Sequence, residues 1–390
     1  MKLVFYSVIL NNHQANVADE LWEQTGHSFR FVELANLAAE HRKGDATDYS
    51  TRPYLIRSWE SSEAYAEAMQ LASEAEACVF SGVMSLPFQK ARLKRGLLSF
   101  DMSERWLKRG IANLFSPAIF KQWLAYKIGG WHRQPLYKLC CSGFAASDQR
   151  RINTFRDKCF KWGYFTKVDS TEPVASSAPC SEHIPIMWCS RYLFLKHPEI
   201  PVLLAQQLKA KGYNFVIDMF GSGEYEEQTR RMVSHFGLDD VVKFRGTVPN
   251  AELLQEMRRH KIFLFTSDRN EGWGAVVNES MANGCVVVAA DAIGSVPFLI
   301  KDGQTGMLFQ SPRTTSSLTS PDAEALASLC AKVEFLLDNP DITDNIKLNA
   351  LALLQHQWSP RQAATRLLTL VAALKRGEAT PFEEGPCSKA

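Results

Sequence analysis

Residues 262–294, IFLFTSDRNEGWGAVVNESMANGCVVVAADAIG, leave this chain the fewest choices of fold. The apolar run Ile262–Phe265 reads as a buried strand that ends in a polar turn holding Glu271, Gly272, Trp273 and Gly274. A helical segment is predicted from about Ala275 to Asn283. Gly284 stops it, and a second apolar strand runs from Cys285 to Ala290. Two all-apolar strands joined through a helix form a buried βαβ unit. Glu271 and Glu279 lie eight positions apart across the turn-to-helix junction, the first in the loop and the second inside the helix. Free N–H groups and the positive dipole end of that helix face the mouth of the loop. Gly272 and Gly274 let a ligand approach the backbone. The segment therefore offers donors for a phosphate or sugar oxygen and two acceptors for hydroxyls.

The same alternation extends through the carboxyl half and predicts a doubly wound, mostly parallel sheet. Strands are expected at Ile184–Cys189, Asn214–Phe220, Val241–Phe244, Ile262–Thr266, Cys285–Ala290 and Met307–Phe309. Helical stretches include Pro201–Lys211, Tyr225–Phe236 and Ala251–Arg259, and three more close the chain near Asp322–Leu337, Thr343–His356 and Pro360–Lys375. The amino half alternates less cleanly, with strands expected at Leu3–Leu10, Phe29–Glu33, Cys78–Phe80, Leu97–Phe100 and Leu136–Cys141. At 390 residues the chain suits two domains. The expected layout is a first domain over 1–168, a Pro- and Ser-bearing linker over 169–183, a second domain over 184–357, a closing helix over 358–376 and a loose polar tail over 377–390.

The N-terminus MKLVFYSVILNN reads as a first strand and not as a signal peptide, because Asn11, Asn12 and His13 follow the apolar run. No apolar stretch reaches the ~20 residues needed to span a bilayer. Nine scattered cysteines without a C-x-x-C pair predict a reducing cytosol, with thiols used as small core residues. The formal net charge of +2 conceals a strongly basic block, since residues 81–168 carry 17 Lys and Arg against 4 Asp and Glu. Such a block seeks an anionic partner. Around the basic residues from Lys90 to Arg109 sit Trp106, Leu107, Phe115, Phe120, Trp123 and Leu124, at spacings that put apolar and basic residues on adjoining helix faces, which predicts an amphipathic face for an anionic membrane surface. No nucleic-acid motif accompanies the charge, so nucleic acid is not expected as a partner.

The run E-G-W-G-A-V-V-N-E-S-M-A-N-G resembles the signature of the retaining "group 1" glycosyltransferases of the GT-B fold, with Ser280 where alanine is usual. The resemblance implies two Rossmann-like domains facing a cleft and a C-terminal helix crossing back to the first. It also implies transfer of a sugar from a nucleotide-diphosphate sugar to a glycan or lipid-diphosphate-linked acceptor, with retention, in cell-surface polysaccharide synthesis. Glu271 and the amides of Gly272, Trp273 and Gly274 would hold the sugar, and Glu279 the ribose. After the first strand of the second domain, Arg191 and Lys196 match the family's Arg and Lys that grip the diphosphate, although Ser190 and His197 replace its two glycines. Phe220-Gly221-Ser222-Gly223 and Phe244-Arg245-Gly246 match its nucleotide-side turns, the first of these being a weak signal.

The amino domain departs from the pattern, with Asn11-Asn12-His13-Gln14 in place of a Gly-rich loop. His13 is the acceptor-side or catalytic candidate there, though it serves equally well as a capping or packing residue. Ser103, Glu104 and Arg105 form a second acceptor-side candidate, against which stands a helix cap at Asp101 or Ser103. No D-x-D motif occurs, so neither metal nor other cofactor is expected. Two alternatives stay open at this point: a metal-free sugar-nucleotide epimerase of the same fold, and a non-catalytic sugar-nucleotide-binding subunit. A cytoplasmic protein, peripheral on the inner membrane face, is the expected location.

Overall fold

The computed structural model describes residues 1–36, 47–168, 183–315 and 320–390. The expected linker 169–183 therefore lies, apart from His183, outside the described residues. The chain divides into two compact units, Met1–Thr166 with Gln357–Ala390, and Lys167–His356.

Each unit is built on a parallel sheet. In the first, the strands are β1 (Leu3–Ser7), β2 (Arg30–Glu33), β3 (Leu55–Arg57), β4 (Ala77–Ser81), β5 (Ser99–Ser103), β6 (Leu136–Cys140) and β7 (Cys159–Lys161). Their order is β3-β2-β1-β4-β5-β6-β7. In the second, β8 (Ile184–Cys189), β9 (Phe215–Phe220), β10 (Val242–Gly246), β11 (Ile262–Phe265), β12 (Val286–Ala290) and β13 (Met307–Phe309) are ordered β10-β9-β8-β11-β12-β13. Both sheets thus wind outward in both directions from a central pair of strands, β1 beside β4 and β8 beside β11. Loops leaving such a pair at its carboxyl end diverge to opposite faces and open a crevice, the switch point at which doubly wound folds bind ligands.

Burial follows from composition. Every residue of β11 and β12 is buried, as continuous apolar runs covered on both faces require. The two strands not foreseen, β3 and β7, are three-residue edge strands too short to print an apolar period.

The closing helix, Pro360–Lys375, belongs to the first unit. Thr365 Oγ1 donates to Gln24 Oε1 at 2.9 Å, and Trp358 stacks on Phe165 with ring centroids 5.8 Å apart. Residues 377–390 correct the expectation of a loose tail. Lys389 bridges Phe160 in antiparallel fashion, and the amides of Cys387 and Ala390 donate to the carbonyls of Lys161 and Cys159. Strand β7 is a sheet edge with open backbone groups, and this segment satisfies them while burying Cys387.

The basic block is also corrected in part, because three of its members are internal. The Arg92 guanidinium is buried and donates to the carbonyls of Ala72, Ala75, Glu76 and Leu98, closing the C-terminus of the helix Ser62–Glu74. Lys138 pairs with Asp101, which also accepts from Tyr126 Oη at 2.7 Å. Arg105 lies 3.4 Å from Asp148 and over the Phe144 ring.

Deleting residues 377–390 removes at least three backbone hydrogen bonds and uncovers the β7 edge, each bond contributing ~1 kcal/mol. Denaturant unfolding of the truncated chain is expected to show a loss of about 3 kcal/mol. A loss under about 0.5 kcal/mol would show that the segment only rests on the edge.

Candidate functional site

The two loops that diverge at the switch point of the second unit carry the residues singled out by sequence. Arg191 and Lys196 follow β8, and Glu271 follows β11. Lys196 and Glu271 meet directly as an ion pair, both largely shielded from solvent, with the ammonium also 5.5 Å from the Phe265 ring. Arg191, on the same loop as Lys196, is exposed.

Glu279 sits in the helix Val276–Ala282. It retains a partly open surface, yet protein surrounds its carboxyl closely enough that burial pushes its pKa up to about 7. Its charge reaches the thiol of Cys189 at the end of β8. Burial first and Glu279 second push that thiol up to about 12, while Lys196 acts in the opposite sense. Lys196, Glu271 and Glu279 therefore converge on the carboxyl ends of β8 and β11.

Trp273 does not present its side chain to this site. It is fully buried, its Nε1 donates to Asn278 Oδ1 at 2.8 Å, and its carbonyl accepts from the amide of Ser295. The indole anchors the loop from below, and the Trp273 backbone is buried with it. Gly274 has a φ of +80°, and a Cβ there would lie 2.4 Å from the Phe265 ring. Any side chain at 274 would push the loop off β11.

Gly221 and Gly223 seat backbone on backbone. A Cβ at Gly221 would lie 2.0 Å from the Ser190 carbonyl oxygen, and the Tyr192 amide donates to Ser222 O at 3.0 Å. The G-x-G thus lets the loop after β9 dock against the loop that bears Arg191. Gly246 accepts from the Gly221 amide at 2.7 Å and joins the same stack. Arg245 turns the other way, its Nε 2.6 Å from Asp218, which also receives His260 Nε2 at 2.9 Å. Burial alone would raise the Asp218 carboxyl, but His260 and Arg245 hold it below the usual range.

Sequence reasoning missed the group beneath Lys196. His197 replaces the family's second glycine, and its φ of +49° shows why glycine suits that position. Its imidazole is wholly buried between two buried carboxylates, Glu199 at 2.8 Å from Nδ1 and Asp268 at 3.6 Å from Nε2. Burial would lower its pKa, but Asp268 and Glu199 more than reverse this and bring it up to about 9. Thr266 Oγ1 accepts from Trp188 Nε1 at 2.9 Å and donates to the Lys196 carbonyl at 2.7 Å. The Asp268 amide donates to Leu195 O at 2.9 Å, and the Glu271 amide to Asp268 O at 3.1 Å. The only signal in the sequence was a histidine standing where a glycine was due.

In the first unit, His13 lies at the start of the helix Asn12–Gln24, which is capped by the Asn11 side chain and not by His13. The imidazole stacks on Tyr164, centroids 5.3 Å apart and planes 9° from parallel. Tyr164 Oη donates to Glu104 at 3.1 Å, so Tyr164 brings the two acceptor-side candidates together. His13 and Tyr164 line a pocket with Phe5, Val17, Met102 and Trp162. No helix cap forms at 101–103, which belongs to β5. Ser103 is engaged by Trp106 Nε1 and Lys138, and Arg105 points inward.

Residues 183–346 match the family described as "Glycosyl transferases group 1". The chain is 26% identical over 210 residues to the putative colanic acid biosynthesis glycosyltransferase WcaL of Escherichia coli strain K12, a match covering 53% of this chain and 48% of that protein. The corresponding protein of Salmonella typhimurium is 25% identical over 180 residues, 45% of this chain and 41% of its own. The chain thus spans less than half the length of these relatives. Among solved structures, Anabaena HepE in complex with UDP superposes with a TM-score of 0.68 at 16% identity, covering 94% of this chain and 99% of that one. The lipopolysaccharide outer core galactosyltransferase WaaB does so with a TM-score of 0.66 at 14% identity, over 96% and 100%. The fold is accordingly GT-B, two Rossmann-like α/β domains.

Because the His197 value of about 9 stands above its ordinary 6.5, its stabilisation is complete below pH 6.5 and is lost as pH rises through about 9. His197→Asn keeps a residue that tolerates the left-handed turn but removes the cation. Wild type should exceed the variant by on the order of 3 kcal/mol at the acid end of this window, and the gap should close at the alkaline end. A gap that stays constant in denaturant melts across the window would show that the imidazole is not the charged partner.

Proposed function

We propose that this protein is a retaining glycosyltransferase that moves a sugar from a nucleotide-diphosphate sugar to a glycan or lipid-linked acceptor in cell-surface polysaccharide synthesis. The observation that carries the reading is the convergence of Lys196, Glu271 and Glu279 at the switch point of a Rossmann-type sheet. The family match over residues 183–346 and the fold shared with a UDP-bound structure support it.

Breaking a sugar–diphosphate bond separates charge, and the protein's task is to meet that charge with groups already in position. Arg191 and Lys196 would take the negative charge of the departing diphosphate, the guanidinium as a fork and the ammonium as a point charge. Lys196 meets Glu271 in the structure, so a diphosphate would share the ammonium and leave the Glu271 carboxylate to accept from sugar hydroxyls. The backbone of residues 272–274, fixed by buried Trp273 and by Gly274, would orient the same sugar. Glu279 would accept from the ribose hydroxyls, donors that favour its ionised form. His13 and Tyr164 would flank the acceptor on the first unit.

Each carboxylate would lose charge-assisted hydrogen bonds worth roughly 1.5–3 kcal/mol. Glu279→Ala is expected to weaken nucleotide binding, while Glu271→Ala chiefly lowers turnover. Because the Glu279 carboxyl stands near 7, wild-type affinity for the nucleotide should rise as pH climbs through that value, and a Glu279→Gln variant should lack the rise. Transfer by both alanine variants at the wild-type rate would overturn the assignment.

We further propose that the reaction needs no metal, since Arg191 and Lys196 already supply cations for the diphosphate. Product formation, followed by chromatography with a range of nucleotide sugars, should continue in excess EDTA. Activity abolished by EDTA and restored by magnesium or manganese would refute this.

A further inference from the structure

The segment Gly110–Arg133 of the first unit has two apolar faces, and only one is used. It runs as a 3-10 turn, Gly110–Phe115, a short helix, Pro117–Trp123, a wide π turn, Leu124–Ile128, and a last turn, Trp131–Arg133. Leu114, Ile119, Trp123, Ala125 and Trp131 pack inward against a core that includes Trp106, Leu107 and Tyr126. Trp106, Leu107 and Trp123 therefore belong to the interior and not to the outer face expected for them.

The outer face is apolar as well. Phe115 is 83% exposed, Ile128 69% and Ile111 64%, with Phe120 and Leu124 beside them. Phe120, Leu124 and Ile128 recur every fourth residue, so they form one stripe along the helix and the π turn. Five of the eleven large exposed apolar side chains among the described residues fall in the 18 positions from Ile111 to Ile128, a denser cluster than scattered surface hydrophobics give.

Charge selects the occupant. Residues 105–147 contain no Asp or Glu. Arg109, Lys121, Lys127 and Arg133 border the stripe, and none of them is paired with a carboxylate among the described residues. Basic side chains without carboxylate partners around exposed aromatic and aliphatic ones match an anionic lipid interface, with apolar tips among acyl chains and cations at headgroup level. No described helix is long and apolar enough to cross a membrane.

We propose that this segment is a membrane-docking element that seats the first unit on an anionic lipid surface by Phe115, Phe120, Leu124 and Ile128. The inference does not rest on the transfer reaction and can fail or stand without it.

The test is flotation of the full chain with vesicles of phosphatidylglycerol and phosphatidylethanolamine, against vesicles of phosphatidylcholine alone. The protein should float with the anionic vesicles at low salt and be released at high salt. Phe115→Ser combined with Ile128→Ser should weaken partitioning by about tenfold or more, and Lys121→Glu combined with Lys127→Glu by a similar factor. These side chains are on the surface, so each variant should keep the wild-type melting temperature. Absence of flotation, or flotation that both pairs leave unchanged, overturns the proposal. A dimer in sedimentation that the Phe115→Ser and Ile128→Ser pair dissociates also overturns it, since a second copy would then cover the stripe.

Discussion

A buried charge between two loops organises the second unit. His197 sits on the loop after β8, and Asp268 on the loop after β11, and neither reaches water. Separating the loops would take the cation away from buried Asp268 and leave the imidazolium with Glu199 as its remaining partner of the two carboxylates, and a buried carboxylate parted from its counter-charge is costly. The neutral bonds around it act in the same sense: Thr266 holds the Lys196 carbonyl, and the Asp268 amide holds Leu195. Two loops that the sheet sends to opposite faces are thereby joined at their roots. Lys196 and Glu271 stand on those roots, so their meeting is set by the cluster below as well as by their own attraction.

That arrangement bears on chemistry, because electrostatic stabilisation is effective only when the groups need not reorganise as charge develops. A lysine on a free loop would have to be ordered by the ligand. Here the residue before the buried cation has its backbone held by the fold, with Thr266 donating to its carbonyl. The same economy holds at Trp273 and Gly274, where a buried indole and a ring-to-backbone contact fix the amides that follow Glu271.

Much of this was legible in sequence, and the failures share a cause. Strands that are buried on both faces, such as Val286–Ala290, print an unbroken apolar run, and the prediction matched them within a residue or two. Strands β3 and β7 hold three residues each at sheet edges and print nothing. The polar segment 377–390 resembles a loose end by composition, yet it is ordered by backbone pairing, to which composition is blind. The spacing of Glu271, Glu279, Arg191 and Lys196 picked out residues that the fold carries on the loops after β8 and β11 and in the helix that follows. What holds it, His197 between Glu199 and Asp268, was hidden because those residues come together only through the topology.

Charge counts failed in a related way. Seventeen basic residues in one block suggest a single electropositive face, but a side chain's sign says nothing of whether it neutralises a neighbour, caps a helix or meets solvent. Arg92 is spent on carbonyls, Lys138 on Asp101 and Arg105 on Asp148, all inside the protein. The apolar residues divide likewise, with Trp106 and Trp123 turned in while Phe115 and Ile128 are turned out. The residue types that suggested an amphipathic surface were thus sorted by the fold into a core and a smaller outer stripe. The part left outside is the more selective one: its cations have no carboxylate partners among the described residues and its apolar groups lie in a row, so charge and shape ask for the same kind of surface.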